Sequence, residues 1–393
     1  MTLGRALHKS AARTPLAGDA ARSAQVSGVG MAGAAAVVGA AATGAGAAEE
    51  SVRRGRVRLP VLVSAVILVL SMVLSIALGA VTISPADQIS TLLGHLPLIG
   101  FHSGVAPIEQ AIIWDLRLPR VVLAALVGAM LAGGGAAYQG VLRNSLADPY
   151  LLGVAAGAGL GATVVIVLGG AGTPILPVAA FVGAVAAVAL TYTVAAAGTE
   201  RAGGYALILA GVAAAAMLTA IQTYLQQQHA DQMRQIYNWI LGSFAVASWS
   251  DIWMVAPYIA ISVVVLLAHR RILDVLRVGG DEATTLGVDP RRAGLAIIGA
   301  ATLGTAAAVS VSGLIGFVGI VAPHAVRLVA GASYRVVLPV SMICGGAFLV
   351  LADLVARTVQ APAEVPIGVI TAFVGGPFFL LVLRSRRSRH GVL

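Results

Sequence analysis

"GFVGIVAPHAVRLVAG", Gly316 to Gly331, is small or aliphatic at nearly every position, yet Pro323, His324 and Arg327 stand together inside it. An apolar run of this kind reads as a buried helix, and a cation near its end marks the place where such a helix meets water. His324 and Arg327 are three residues apart and share one helix face. No second ligand follows His324 at i+3 or i+4, so the histidine is expected to cap carbonyls at the cytoplasmic end of a span rather than to bind a metal.

The rest of the chain agrees with a membrane reading. Of 393 residues, 59% are hydrophobic and 10% charged, with a mean hydropathy of +0.93; soluble domains carry roughly 25% charged residues. Near the ~20-residue spanning length, ten apolar segments fall at about 59–80, 118–140, 149–169, 174–197, 204–226, 251–269, 292–311, 313–330, 335–356 and 365–384. The fold class is therefore an all-α polytopic membrane protein of about ten transmembrane helices. Residues 231–246, "DQMRQIYNWILGSFAV", read as an amphipathic surface helix instead.

Residues 1–55 form an Ala/Gly-rich region ending in "GAGAAEE" before Ser51, expected to be a disordered cytoplasmic tail ahead of a permease domain at 56–388. A cleaved signal peptide is the other reading, and Arg53, Arg54, Arg56 and Arg58 oppose it by sitting directly before the first strong span. With ten spans both termini lie on one side. That side collects seventeen arginines, against four on the other: Arg117, Arg120, Arg234 and Arg357. The positive-inside bias then places both termini in the cytoplasm of a plasma-membrane protein.

Enzyme chemistry finds little footing. There is no "GxxxxGK[ST]" phosphate cradle, and Lys9 is the only lysine. No HExxH pair, GxSxG elbow or cluster of intramembrane acids appears either, which also weighs against an ion-coupled secondary transporter. The net charge of +9 comes without basic blocks interleaved with aromatics, so nucleic acid is not an expected partner. Cys344 sits in an apolar run and reads as packing.

Polar and Gly/Pro-rich knots at helix ends remain. "RNSLADP", 143–149, places Asn144 in a turn and Asp148 before Pro149, the pattern of an N-cap followed by proline at the first helical position. The loop at about 270–292 contains "GDEATTLG", a candidate short helix over Gly280, Asp281, Glu282 and Ala283, with Leu286 as apolar surface and Gly287 as its stop. Asp353 and Arg357 are spaced i,i+4 and are expected to neutralise each other in part. Gly203 and Gly204 open the fifth span and admit two readings, a flexible inner gate or a plain helix break.

Taken together, "RLPR" at 117–120, "RNSLADP" at 143–149, "WILGS" at 239–243, "GFVGIVAPHAVR" at 316–327, "ADLVAR" at 352–357 and "EVPIGVITAFVGGPFF" at 364–379 resemble one family. This is the FecCD type of permease, BtuC-like, from ABC importers for iron-siderophores, haem and vitamin B12. The resemblance covers about residues 59–385. Ser145 stands where the family usually has proline, and Ser312-Gly313-Leu314 where Gly-Pro-Ile is common, which implies a less rigid entry to the eighth span.

The resemblance implies ten spans per subunit, a homodimer with the path at its interface, and alternating access. It implies no cofactor bound directly: ATP is used by two cytoplasmic ATPase subunits that dock on the 280–287 loop. An extracytoplasmic substrate-binding lipoprotein delivers substrate, and Arg117, Arg120 and Arg357 inherit the role of receiving its acidic residues. Pro323, His324 and Arg327 become part of the shell that receives the ATPase's movement, with helix termination as the competing account. Iron(III)-siderophore is the expected substrate; haem, cobalamin or another cofactor are the alternatives.

Overall fold

The computed structural model describes residues 58–79, 81, 83–95, 104–197 and 203–390. The expected tail at 1–55 lies outside them, as do residues 198–202. Every described element is helical. Among the described residues, seven helices are long and apolar enough to cross a membrane, and three shorter apolar helices accompany them. Each of the ten segments read from the sequence holds one of these.

In chain order the elements are α1 (Arg58–Ala77), α2 (Pro85–Gly94), α3 (Pro107–Ala111), and a π-turn segment (Ile112–Arg117) leading into α4 (Leu118–Val141). A 3₁₀ turn (Pro149–Leu152) precedes α5 (Val154–Val167), α6 (Ile175–Ala197) and α7 (Gly203–Gln228). Then come α8 (Met233–Ile240), α9 (Trp249–Ala268), α10 (Arg270–Leu276) and α11 (Gly280–Thr285). The last four are α12 (Pro290–Ser312), α13 (Val318–Ala330), α14 (Tyr334–Thr358) and α15 (Ile367–His390).

The core is built around α4, which packs against α9, α12, α13 and α14. A helix that is apolar or small on all sides can be enclosed on all sides, and α4 is. Two glycine pairs set how near its neighbours come. A Cβ on Gly128 would lie 2.3 Å from the Gly345 carbonyl oxygen of α14, and one on Gly135 would lie 2.1 Å from that of Gly319 in α13. Lipid gives little drive for apolar helices to associate, so this backbone-to-backbone fit supplies dispersion contacts that larger residues would block. A second group, α5 with α6 and α7, joins the first through α6 on α12.

Two spans are shorter than the sequence suggests, for local reasons. The third was expected from 149, but Pro149 starts only a 3₁₀ turn, and Gly153 at φ +86 breaks the backbone before α5. The eighth was expected from 313, but Gly313 (φ +72) and Phe317 (φ +69) both take left-handed conformations, and α13 starts at Val318. Neither α2 nor α10 was anticipated. The α2 start is written as Ser84 before Pro85 and Asp87, with Ser84 Oγ accepting from the Asp87 amide.

Candidate functional site

One end of the bundle gathers Arg117, Arg120 and Arg357. Arg117 closes the π-turn segment, Arg120 lies in the first turn of α4, and Arg357 in the last turn of α14. Arg120 is the hub. Its Nε and Nη2 donate to both oxygens of Asp353 at 2.8 to 3.1 Å, while Nη1 and Nη2 donate to Glu364 at 2.7 and 2.9 Å. A planar guanidinium with five N–H donors can hold two carboxylates in this fork arrangement. Asp353 is the buried partner and Glu364 the more open one, with side chains 1% and 36% exposed.

The other two arginines close off α1. Arg117 donates to the Ile76 carbonyl at 2.8 Å and to that of Val81. Arg357 donates to the Ser75 carbonyl and, at 2.7 Å, to its hydroxyl. The last carbonyls of a helix have no intrahelical partner and carry its negative dipole end, so cations there satisfy both needs. The expected pairing of Asp353 with Arg357 exists only as an ion pair at 3.8 Å. Arg120, distant in sequence, is the better-placed partner.

These contacts tie all three arginines into the bundle itself. Arg117 and Arg120 are buried, and all three bond within the chain. They border a cavity of about 240 Å³ that is also lined by Gly79, Ala245, Ala361 and Glu364. Sequence reasoning missed Glu364. It lies inside the quoted "EVPIGVITAFVGGPFF" stretch, and nothing local ties it to an arginine in α4.

The "RNSLADP" turn behaves as its residues dictate. Asn144 Oδ1 accepts from the Leu146 amide, and Asp148 Oδ1 from the Tyr150 amide at 2.9 Å. Asp148 is thus the N-cap expected ahead of Pro149, although of a 3₁₀ turn. Burial pushes its carboxyl up to about 6, against the lowering effect of the Tyr150 amide. Tyr150 reaches across to the entry of α13, where its hydroxyl donates to the Ile315 carbonyl at 3.0 Å and accepts from the Ile315 amide at 3.1 Å. The Ser243 amide donates to Ser312 O at 3.0 Å. The Ser312-Gly313-Leu314 departure is therefore strapped from both sides, in place of the looser entry the sequence suggested.

His324 is a correction. It lies mid-helix in α13, which runs on to Ala330, so it does not cap the end of its own helix. It is buried and meets Phe378 of α15 edge-on, with ring centroids 5.9 Å apart. Pro323 also lies inside the helix. Arg327 is in the last turn, and its guanidinium donates to Tyr334 Oη at 3.3 Å and lies 5.7 Å from the centre of that ring. The trio is thus one helix face inside the bundle with its cation at the end.

In the 270–292 region, α10 packs on α14 and α4, and α11 follows it. The short helix read from "GDEATTLG" is present at Gly280–Thr285, with Gly287 at φ +79 as its stop. Ala283 is buried, while Leu286 and Val278 are 67% and 69% exposed. Gly203 and Gly204 are the first two residues of α7. Of the polar residues at the far end of α7, Gln222 is buried and faces Gly159 of α5, while Thr223, Gln227 and Gln228 are exposed. Among the described residues no three His, Cys, Asp or Glu groups come together as a metal site.

The model of the FecCD transport family matches residues 67–385. The chain belongs to this family. It is 43% identical over 286 residues to the cobalamin import system permease protein of Halobacterium salinarum, covering 73% of this chain and 77% of that one. It is 40% identical over 289 residues to the hemin transport system permease protein of Yersinia pestis, covering 71% and 85%. A solved structure described as an inward-facing metal-chelate type ABC transporter aligns with a TM-score of 0.72 at 28% identity, over 83% of this chain and 98% of that one. This FecCD permease is a membrane subunit of an ABC importer and not itself an enzyme; in the family ATP is hydrolysed by a separate subunit.

Proposed function

We propose that this FecCD permease carries an intact metal chelate, an iron(III)-siderophore in the first instance, by alternating access in a homodimer with both termini cytoplasmic. Two ATPases and a substrate-binding lipoprotein complete the importer. The observation that carries the coupling half of this reading is α11, a short helix anchored by buried Ala283 with Leu286 and Val278 exposed beside it. An apolar tip of this kind offers a rigid handle to a soluble partner, and Pro323, His324 and Arg327 lie in the helix that would receive its movement. The metal-chelate transporter aligned above favours a chelate, and the cobalamin and hemin relatives keep those two cofactors as the second reading.

On the opposite side, the cavity beside Arg117, Arg120 and Arg357 is the proposed landing site for an acidic residue of the binding protein. Gly203 and Gly204 are proposed as the inner gate, at the start of α7. Nucleotide can drive transport only by binding one global state better than the other, which is the role assigned to the ATPase pair. The test is uptake into proteoliposomes containing permease, ATPases and binding protein, using labelled ferric hydroxamate, haem and cobalamin in separate arms. Uptake of the ferric chelate supports the first reading. Uptake confined to haem or cobalamin replaces it with the second.

A further inference from the structure

We propose that Glu364 is an internal stand-in for a carboxylate of the binding protein, and that docking exchanges one for the other on Arg120, releasing the segment that precedes α15. The inference rests on the docking reading above and concerns how that site is regulated. Arg120 holds two carboxylates that differ in every respect that matters for exchange. Asp353 belongs to α14, is nearly inaccessible and meets Nε and Nη2. Glu364 lies on the short connection between α14 and α15, is 36% exposed, and faces the cavity that Arg117 and Arg357 also line. An arriving carboxylate reaches the Glu364 side of the guanidinium without disturbing Asp353.

Charge and bonding favour such an arrival. Among the described residues, three guanidinium groups face two carboxylates in this cluster, leaving one positive charge uncompensated. The Nε of Arg357 is buried without a hydrogen-bond partner and lies 3.8 Å from Asp353. The cluster thus carries an unmet donor together with its unmet charge.

Glu364 is also tied to the neighbouring helices. The next amide, Val365, donates to the Ala356 carbonyl; then Ile367 donates to Gly242 and Gly368 to Leu241, at 2.9 to 3.2 Å. Leu241 and Gly242 directly follow α8. Freeing Glu364 therefore loosens one end of a strap whose other end holds the exit of α8, so capture of the binding protein is transmitted to that helix.

The experiment uses the purified cognate binding protein and the full-length permease in nanodiscs. Binding is measured across a salt series for the wild type and Glu364→Gln, together with the distance between spin labels at Ala245→Cys and Ala361→Cys, two residues of the cavity wall. Removing the competing charge should tighten binding about tenfold, near the net worth of one charge-assisted hydrogen bond. The label distance should lengthen on docking, and in Glu364→Gln it should already be long before the partner is added. Salt-sensitive capture by the wild type with unchanged or weaker binding by Glu364→Gln, or with an unchanged label distance, overturns the exchange while leaving the docking reading in place. Capture that is absent or indifferent to salt removes the docking reading and the exchange with it.

Discussion

Gln139 of α4 donates its side-chain amide to the Gly319 carbonyl of α13 at 3.0 Å. That carbonyl is the one a residue at position 323 would normally bond in the helix, and Pro323 has no N–H to offer it. A buried acceptor that the proline frees is thus satisfied from the neighbouring helix, at the level where Gly135 and Gly319 bring the two backbones together. The proline and the glutamine are two halves of one device.

Removing one half should therefore depend on the other. Gln139→Leu should destabilise the detergent-solubilised permease by about 1–3 kcal/mol, the cost of orphaning a buried carbonyl. In a Pro323→Ala background, where the helix can bond Gly319 itself, the same change should cost clearly less. Thermal unfolding of the four variants of this double-mutant cycle reads the coupling, and additive losses would separate the two residues.

The bond between Arg120 and Asp353 predicts a large loss of a different kind. Asp353→Ala leaves a buried guanidinium with only Glu364 to balance it, and breaking a buried pair from one side typically costs about 3–5 kcal/mol. Asp289→Ala, which removes the exposed Arg292–Asp289 pair, serves as the comparison; an exposed ion pair is worth about 0–1 kcal/mol, although the lost N-cap of α12 adds roughly 1 kcal/mol. Equal shifts in unfolding temperature would contradict the buried assignment.

Close approach at Gly128 gives a steric prediction. Its added Cβ would fall 2.3 Å from the Gly345 carbonyl oxygen, a backbone atom that can retreat only if α14 moves. Gly128→Ala should cost about 1–3 kcal/mol or prevent assembly. Gly376→Ala, where a Cβ meets open space within 4 Å, should be tolerated. Expression and size-exclusion profiles of the two variants distinguish them.

Asp148 supplies a pH dependence. Its folded value is raised by burial to about 6 from an ordinary 3.8. The folded state then prefers the protonated form, so this contribution to stability is present below about pH 4 and lost as pH rises through about 6. Asn at this position keeps the cap without the charge. Asp148→Asn should therefore be more stable than wild type at pH 7.5, with the gap closing toward pH 4; a constant gap would refute the titration.

Much of the bundle was legible from residue type alone. Apolar run lengths located all ten segments, and glycine, proline and N-cap chemistry marked the Asp148 turn and the α11 stop. What the sequence hid were contacts between elements far apart in the chain. The i,i+4 rule pointed Asp353 at Arg357, yet the better partner was Arg120, because helix packing brings the ends of α4 and α14 together. His324 read as a cap because an apolar run does not say where its helix ends, and Gly331 places that end seven residues later. Glu364 carried no local signal, since its meaning comes from the arginine it meets.

The central claim is that this permease moves substrate only when ATPases act on it through α11. The most direct test measures ATP-dependent uptake in proteoliposomes with wild type and with Leu286→Arg, each assayed with and without the ATPase subunits. The account predicts uptake by wild type only when ATPases and ATP are present. With Leu286→Arg, uptake should fall to background although the permease inserts and folds normally. Uptake without the ATPases, or undiminished uptake by Leu286→Arg, would contradict it.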